Sequence, residues 1–266
     1  MQTELDGITI RHLRRGSRTD PGDLPVLVLH GWGAHLEAVE PIVAALEGET
    51  EVLALDLPGF GESDPPPEAW DGDDYARFVL RFLDHEGVER CHVLGHSNGG
   101  RVGICIAADH PERVGRLLLC DSAGLRPKRG ARYYSRVAVA KVGRVVGLLG
   151  GPGRRLQERM RRRVASTDYI EASEAMRGTF RKLVARDLSD RMPRIKSPTL
   201  LVWGELDDDT PLWMGRRMEE LIPGAGLAVL NGAGHYSYAD DPVGFARIAR
   251  LFLCEQPRAL APRTGE

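Results

Sequence analysis

A chain of 266 residues, 42% apolar and 28% charged, is long enough for one globular core with an insertion, and this composition excludes a disordered, fibrous or membrane-embedded protein. The net charge of −2 hides an asymmetry: residues 126–194 hold 19 Lys and Arg against 6 Asp and Glu, a net of +13, which leaves −15 on the remainder. Such a division predicts two regions. Met1 to Thr9 carries Glu4 and Asp6 and lacks the apolar stretch of a signal peptide, and no run has the length of a membrane span, so the expected compartment is the cytoplasm. Cys91, Cys105, Cys120 and Cys254 sit in apolar segments without metal-ligand spacing, which predicts buried free thiols rather than a disulfide framework or a zinc site.

In chain order, Val26 to Leu29 and Val52 to Leu55 are short apolar runs ending in Gly- and Pro-rich turns, the pattern of buried parallel strands. Leu36 to Leu46 between them has helical spacing, giving a strand-helix-strand unit. A helix over Tyr75 to Gly87, a strand over Cys91 to Leu94, a helix over Gly100 to Asp109 stopped by Pro111, and a strand over Val114 to Cys120 repeat the rhythm. Leu200 to Trp203 and Leu227 to Leu230 predict two later strands, with helices over Trp213 to Leu221 and Val243 to Cys254. The alternation predicts an α/β fold, a mostly parallel sheet with helices on both faces. Only residues 126–193 interrupt it: Tyr133 to Leu149, Gly153 to Arg163 and Ile170 to Leu188 read as helices, with a Gly-Gly-Pro-Gly break at 150–153. The predicted organisation is a discontinuous core of residues 1–125 and 194–258, a basic helical insertion of residues 126–193, and a loose tail over residues 259–266.

Gly95-His96-Ser97-Asn98-Gly99 lies between a predicted strand and a predicted helix, the context of a nucleophile elbow. Flanking glycines let the chain turn sharply and hold the Ser97 hydroxyl at the start of a helix, where the Asn98 backbone N–H can meet a developing oxyanion. A lone Gly-x-Ser-x-Gly also occurs as an ordinary glycine turn. A serine hydroxyl needs a base, and the base an orienting acid. Trp203-Gly204-Glu205-Leu206-Asp207 places an acid past one later strand, and Gly232-Ala233-Gly234-His235 a histidine past the next. Three turns at carboxyl ends of strands thus supply three complementary groups, in the order Ser97, Asp207, His235.

These segments resemble the α/β-hydrolase superfamily, in its cap-bearing lipase, esterase and carbon–carbon hydrolase branch. The resemblance runs from about Val26 to Gly124 and from about Pro198 to Phe252, and includes His30-Gly31-Trp32-Gly33, Asp56-Leu57-Pro58-Gly59-Phe60-Gly61-Glu62-Ser63 and the three turns above. It implies that the Trp32 backbone N–H completes the oxyanion hole with Asn98, and that the insertion is a substrate-covering cap. Asn98 departs mildly from the family, standing where many relatives carry a large apolar residue. The activity implied is hydrolysis of a carboxylic ester or related acyl bond, with carbon–carbon or amide cleavage on the same triad as the alternative, and no metal or organic cofactor is needed.

Among the other groups, His96 reads as a packing residue, His30 as a structural group beneath the oxyanion loop, and His92 and His110 as solvated or capping groups. Asp208 and Asp209 read as solvated loop charges, while Asp121 ends another strand at a position that some relatives use for the acid. In residues 129–149, Arg129, Arg132, Arg136 and Arg144 fall on one helical face and Val142, Val145, Val146 and Leu149 on the other, with Lys141 departing from the division, which reads as a cap helix with its arginines in water. The functional counterpart is attraction of an anionic small-molecule substrate or of an acidic membrane surface. Nucleic acid is not expected as a partner, because the arginines lack interleaved aromatics. Two rival functions are a nicotinamide-dependent oxidoreductase, suggested by Gly31-Trp32-Gly33 and Asp56 but lacking the third small residue at Leu36, and a non-catalytic small-molecule receptor on a hydrolase scaffold.

Overall fold

The computed structural model describes residues 1–18, 23–126 and 173–255. Strands β1 (Gln2–Leu5) and β2 (Ile8–Arg15) form an antiparallel hairpin, and β2 pairs antiparallel with β4 (Val52–Leu55). From there the sheet is parallel through β3 (Val26–Leu29), β5 (Cys91–His96), β6 (Val114–Cys120), β7 (Thr199–Gly204) and β8 (Gly226–Leu230), in the order β1-β2-β4-β3-β5-β6-β7-β8. The sheet is therefore mostly parallel, as the alternation predicts.

Side chains alternate across a strand, and each face of this sheet has its own core. Leu27, Leu29, Leu53 and Leu55 point to one side, where α2 (Gly72–His85), α3 (Asn98–Asp109) and α5 (Leu212–Leu221) pack. Val26, Val28, Val52 and Ala54 point to the other, against α1 (Leu36–Leu46) and α7 (Pro242–Leu253). Burial on both faces explains why the central strands read Val-Leu-Val-Leu and Val-Leu-Ala-Leu without polar alternation. Two helices remain: α4 (Glu174–Ala185), which belongs to the predicted insertion, and the short α6 (Ser237–Asp240) after the last site loop.

Three strands and α1 have the bounds read from the sequence; the other predicted elements in the described core differ by one to three residues at their ends. Helix α2 begins at Gly72 rather than Tyr75 because Asp71 and Asp74 form a capping box, with the Asp71 side chain accepting from Asp73 N and Asp74 N. The β1–β2 hairpin and α6 are absent from the sequence reading. Of the helices read in the insertion, Tyr133 to Leu149 and Gly153 to Arg163 lie outside the described residues, as does the tail at 259–266; α4 falls within the predicted Ile170 to Leu188.

The chain leaves the core after β6 and returns beside its own exit: Leu188 N donates to the Gly124 carbonyl (2.8 Å) and Arg126 N to Asp187 Oδ2 (2.8 Å). Helix α4 then lies over the loop after β3, with the Phe180 ring 5.0 Å from Trp32 and Thr179 Oγ1 accepting from Trp70 N (2.8 Å). Among the described residues no helix is long and apolar enough to cross a membrane.

Candidate active site

Ser97 stands between β5 and α3 at φ 51° and ψ −114°, a left-handed backbone that a non-glycine residue adopts only when its surroundings enforce it. The enforcement is visible. Ser97 N donates to the Cys120 carbonyl (3.0 Å), and the Ser97 carbonyl accepts from Ala123 N (2.9 Å), so the turn is bound to the end of β6. A side chain on Gly95 would stand 2.5 Å from Gly100 N, and one on Gly99 would overlap the Leu29 carbonyl oxygen. Both glycines are required by close approach of backbone to backbone.

The His235 imidazole bridges the other two groups, with Nε2 3.0 Å from Ser97 Oγ and Nδ1 2.9 Å from Asp207 Oδ2. An ionised carboxylate can only accept, so Nδ1 carries the proton and Nε2 is left with a lone pair toward the serine. Asp207 is buried and accepts Asp209 N (2.8 Å) and Thr210 N (2.9 Å) on Oδ1, while the Thr210 hydroxyl lies 2.7 Å from Oδ2. Burial alone would raise the Asp207 pKa, but the bonds from His235 and Thr210 hold it below the ordinary carboxylate value. Burial would likewise lower His235; the hydrogen bond and charge of Asp207, with the charges of Asp209 and Asp121, carry its pKa above the ordinary value instead. Asp208 and Asp209 are exposed.

Asp121, the other acid weighed from the sequence, does not reach the imidazole. It is fully buried at φ 45°, and its carboxylate accepts Gly204 N on Oδ1 (2.8 Å) and Ser237 N on Oδ2 (3.1 Å). It therefore ties together the two loops that present Asp207 and His235. Burial pushes its pKa up to about 6, against the bonds from Ser237 and Gly204. Thr210, whose hydroxyl lies between Asp207 Oδ2 and the Asp121 carbonyl (2.9 Å), joins the same network. Sequence reasoning missed both links, because neither a threonine after an acid-rich turn nor an Asp at a strand end announces which amides it will meet.

The turn of Gly31 and Trp32 lies against the nucleophile: a Cβ on Gly31 would be 3.1 Å from Ser97 Cβ and 3.0 Å from His96 Nδ1. As the first residue of α3, Asn98 has a backbone N–H outside the helical ladder, pointing at the helix N-terminal end. His30 holds the loop beneath, its Nδ1–H donating to the Gly31 carbonyl (2.7 Å) and its Nε2 accepting Leu57 N (2.9 Å). Burial lowers its pKa to about 4, so it stays neutral. His96 is buried and donates from Nε2 to the His235 carbonyl (2.8 Å); its ring lies 5.0 Å from that of His235. Packing is thus accompanied by a backbone hydrogen bond that steadies the base loop. His92 corrects the sequence reading: it lies half-buried in β5 with Nδ1 shielded, and burial lowers its pKa to about 4, so it is a strand residue rather than a cap. His110 does cap, ending α3 with its backbone N–H on the Ile106 carbonyl.

Asp56, which the oxidoreductase reading would assign to a ribose, is buried and accepts Leu36 N (2.6 Å) and Glu62 N (3.0 Å). Its carboxylate is occupied in shaping the loop after β4. The cysteines are unpaired, three buried and Cys254 half-buried.

The profile of the alpha/beta hydrolase fold family matches residues 25–242. A 2-hydroxy-6-oxononadienedioate/2-hydroxy-6-oxononatrienedioate hydrolase of Cupriavidus pinatubonensis is 29% identical over 265 residues, covering 88% of this chain and 88% of that protein. A poly(3-hydroxyalkanoate) depolymerase of Ectopseudomonas oleovorans is also 29% identical, over 97% of this chain and 88% of its own. Among solved structures, a membrane phospholipase A described as a bacterial virulence factor superposes with a TM-score of 0.75 at 26% identity, covering 95% of this chain and 84% of that one.

Proposed function

This chain belongs to the alpha/beta hydrolase family, and on that premise we propose that it cleaves a carboxylic ester or related acyl bond with Ser97 as nucleophile, His235 as general base and Asp207 as the orienting acid. The observation that carries the reading is the continuous path from Ser97 Oγ to His235 Nε2 (3.0 Å) and from Nδ1 to Asp207 Oδ2 (2.9 Å). Ser97 Oγ attacks the substrate carbonyl carbon as its proton passes to Nε2, and the backbone N–H groups of Trp32 and Asn98 receive the oxyanion. Collapse returns the proton to the leaving oxygen and leaves an acyl-enzyme. Water, deprotonated by His235, then attacks that ester and frees both the acid and Ser97.

Relatives named as hydrolases of 2-hydroxy-6-oxo dienoates favour a second reading on the same residues, cleavage of a carbon–carbon bond beside a carbonyl. Residues 126–193, by the same proposal, form the cap over the cleft, supported by the adjacent exit and return at Gly124 and Leu188 and by the edge-to-face contact of Phe180 with Trp32. The unpaired thiols support a reducing, cytoplasmic setting.

A hydrolysis panel of aryl esters and vinylogous 1,5-diketo acids, run on the wild type and on Ser97→Ala, tests the proposal. Ser97→Ala is expected to lose on the order of 10⁶-fold in kcat and all labelling by an organophosphonate, with its circular dichroism unchanged. Turnover undiminished in that variant would remove Ser97 from the chemistry. The ratio of ester to diketo acid turnover decides between the two bonds.

A further inference from the structure

Arg101 stands on α3 one turn past the nucleophile, its backbone N–H donating to the Ser97 carbonyl (3.3 Å), yet the residue is only 4% exposed. A buried guanidinium calls for a carboxylate partner. Among the described residues no carboxylate lies within ion-pair distance of Arg101, and Asp187 acts on it only through space: one Nη1–H donates to the Arg186 carbonyl at the end of α4 (2.7 Å), and the side chain lines a cavity of about 620 Å³. Gly72 and Asp73 at the start of α2, Cys105, Lys182 of α4 and Arg186 just past its end share that lining. None of Ser97, Trp32, Asn98, Asp207 or His235 does.

The charges around the cavity are unevenly satisfied. The Asp71 carboxylate caps α2, Asp73 is held by both Nη atoms of Arg191, and Asp187 accepts Arg126 N (2.8 Å) and Ser189 N (2.9 Å). Arg186 is paired with Asp190 (3.1 Å). By contrast, the Lys182 ammonium donates to the Ala69 carbonyl (2.6 Å) and, like Arg101, meets a neutral acceptor. The acids in and beside the lining are thus hydrogen-bonded elsewhere, while among the described residues Arg101 and Lys182 hydrogen-bond only to carbonyls. A purely capping arginine would need one N–H on the end of α4 and would leave its head in water. Here the head is enclosed beside a space large enough for a small ligand.

We propose that this cavity binds an oxyanion, carboxylate or phosphate, carried by a small molecule, with the Arg101 fork gripping two of its oxygens and Lys182 supplying the second charge. The site is separate from the catalytic groups and does not depend on what they do.

Titration calorimetry and thermal unfolding with inorganic phosphate and with succinate, at ionic strength fixed with sodium chloride, test it on the full chain. The wild type is expected to bind at least one of the two and to unfold at higher temperature in its presence, and the arm that responds identifies the oxyanion. Arg101→Gln and Lys182→Gln should each weaken binding tenfold or more, and Ser97→Ala should bind as the wild type does. Lys182 is exposed, so Lys182→Gln decides the matter should Arg101→Gln fail to fold. No binding by the wild type, or equal binding by the wild type and Lys182→Gln, overturns the proposal.

Discussion

His235 answers to two opposed influences. Burial favours the neutral imidazole, whereas Asp207 at 2.9 Å and the more distant Asp209 and Asp121 favour the cation, and the carboxylates prevail. A general base must be unprotonated to accept the serine proton, so activity falls as pH drops through the His235 pKa. Because that pKa is raised above 6.5, the acid limb of kcat/KM is expected to have its midpoint above that value. His96 cannot supply this limb, since burial, assisted by the nearby His235, lowers its pKa to about 3. Asp121→Asn removes one of the charges that raise His235, so its limb should move to lower pH. A rate reduced with no movement of the midpoint would confine Asp121 to holding the Gly204 and Ser237 amides in place.

At the scale of elements, the elbow turns on contacts that only glycine permits. Gly99→Ala would press a methyl group into the Leu29 carbonyl oxygen, and neither β3 nor α3 can retreat without disturbing the nucleophile. Overpacking of this kind costs about 1–3 kcal/mol, so the variant should unfold several degrees below the wild type. Gly48→Ala, where an added Cβ meets nothing within 4 Å, is the control, and equal unfolding temperatures for the two variants would show that the elbow can relax. The same locality explains what the sequence makes legible. Strands β3 and β4 and the Leu117–Cys120 half of β6 are apolar runs buried on both faces, and the elbow, acid and histidine turns each follow a strand, so pattern alone finds them. The β1–β2 hairpin had its own signal, Asp6-Gly7 at φ 57° and 75° before an alternation of Ile8, Ile10 and His12, which is how an Asp-Gly turn joins two strands. Asp121 had none, because Gly204 and Ser237 lie on other elements, and Thr210, although it meets Asp207 within one turn, reaches the Asp121 carbonyl only through tertiary assembly.

For the molecule as a whole, the question is what the charge division does. Residues 126–194 carry a net of +13 while the rest carries −15, and the return of the chain beside Gly124 joins this basic region to the core next to β6, whose end binds the elbow. A field of one sign beside a cleft raises the local concentration of oppositely charged ligands and speeds their capture. Solvent ions screen that field over about 8 Å at physiological ionic strength, so steering is lost as salt is added. Were the arginines merely a solvated outer face, salt would act alike on all substrates. We therefore expect kcat/KM for an anionic ester to fall several-fold between low and high salt, while a neutral ester of equal length changes little, with the loss appearing in kcat/KM rather than in kcat. Parallel salt responses for the two esters would show that the basic insertion takes no part in substrate capture, and would leave its charge to solubility or to contact with an acidic surface.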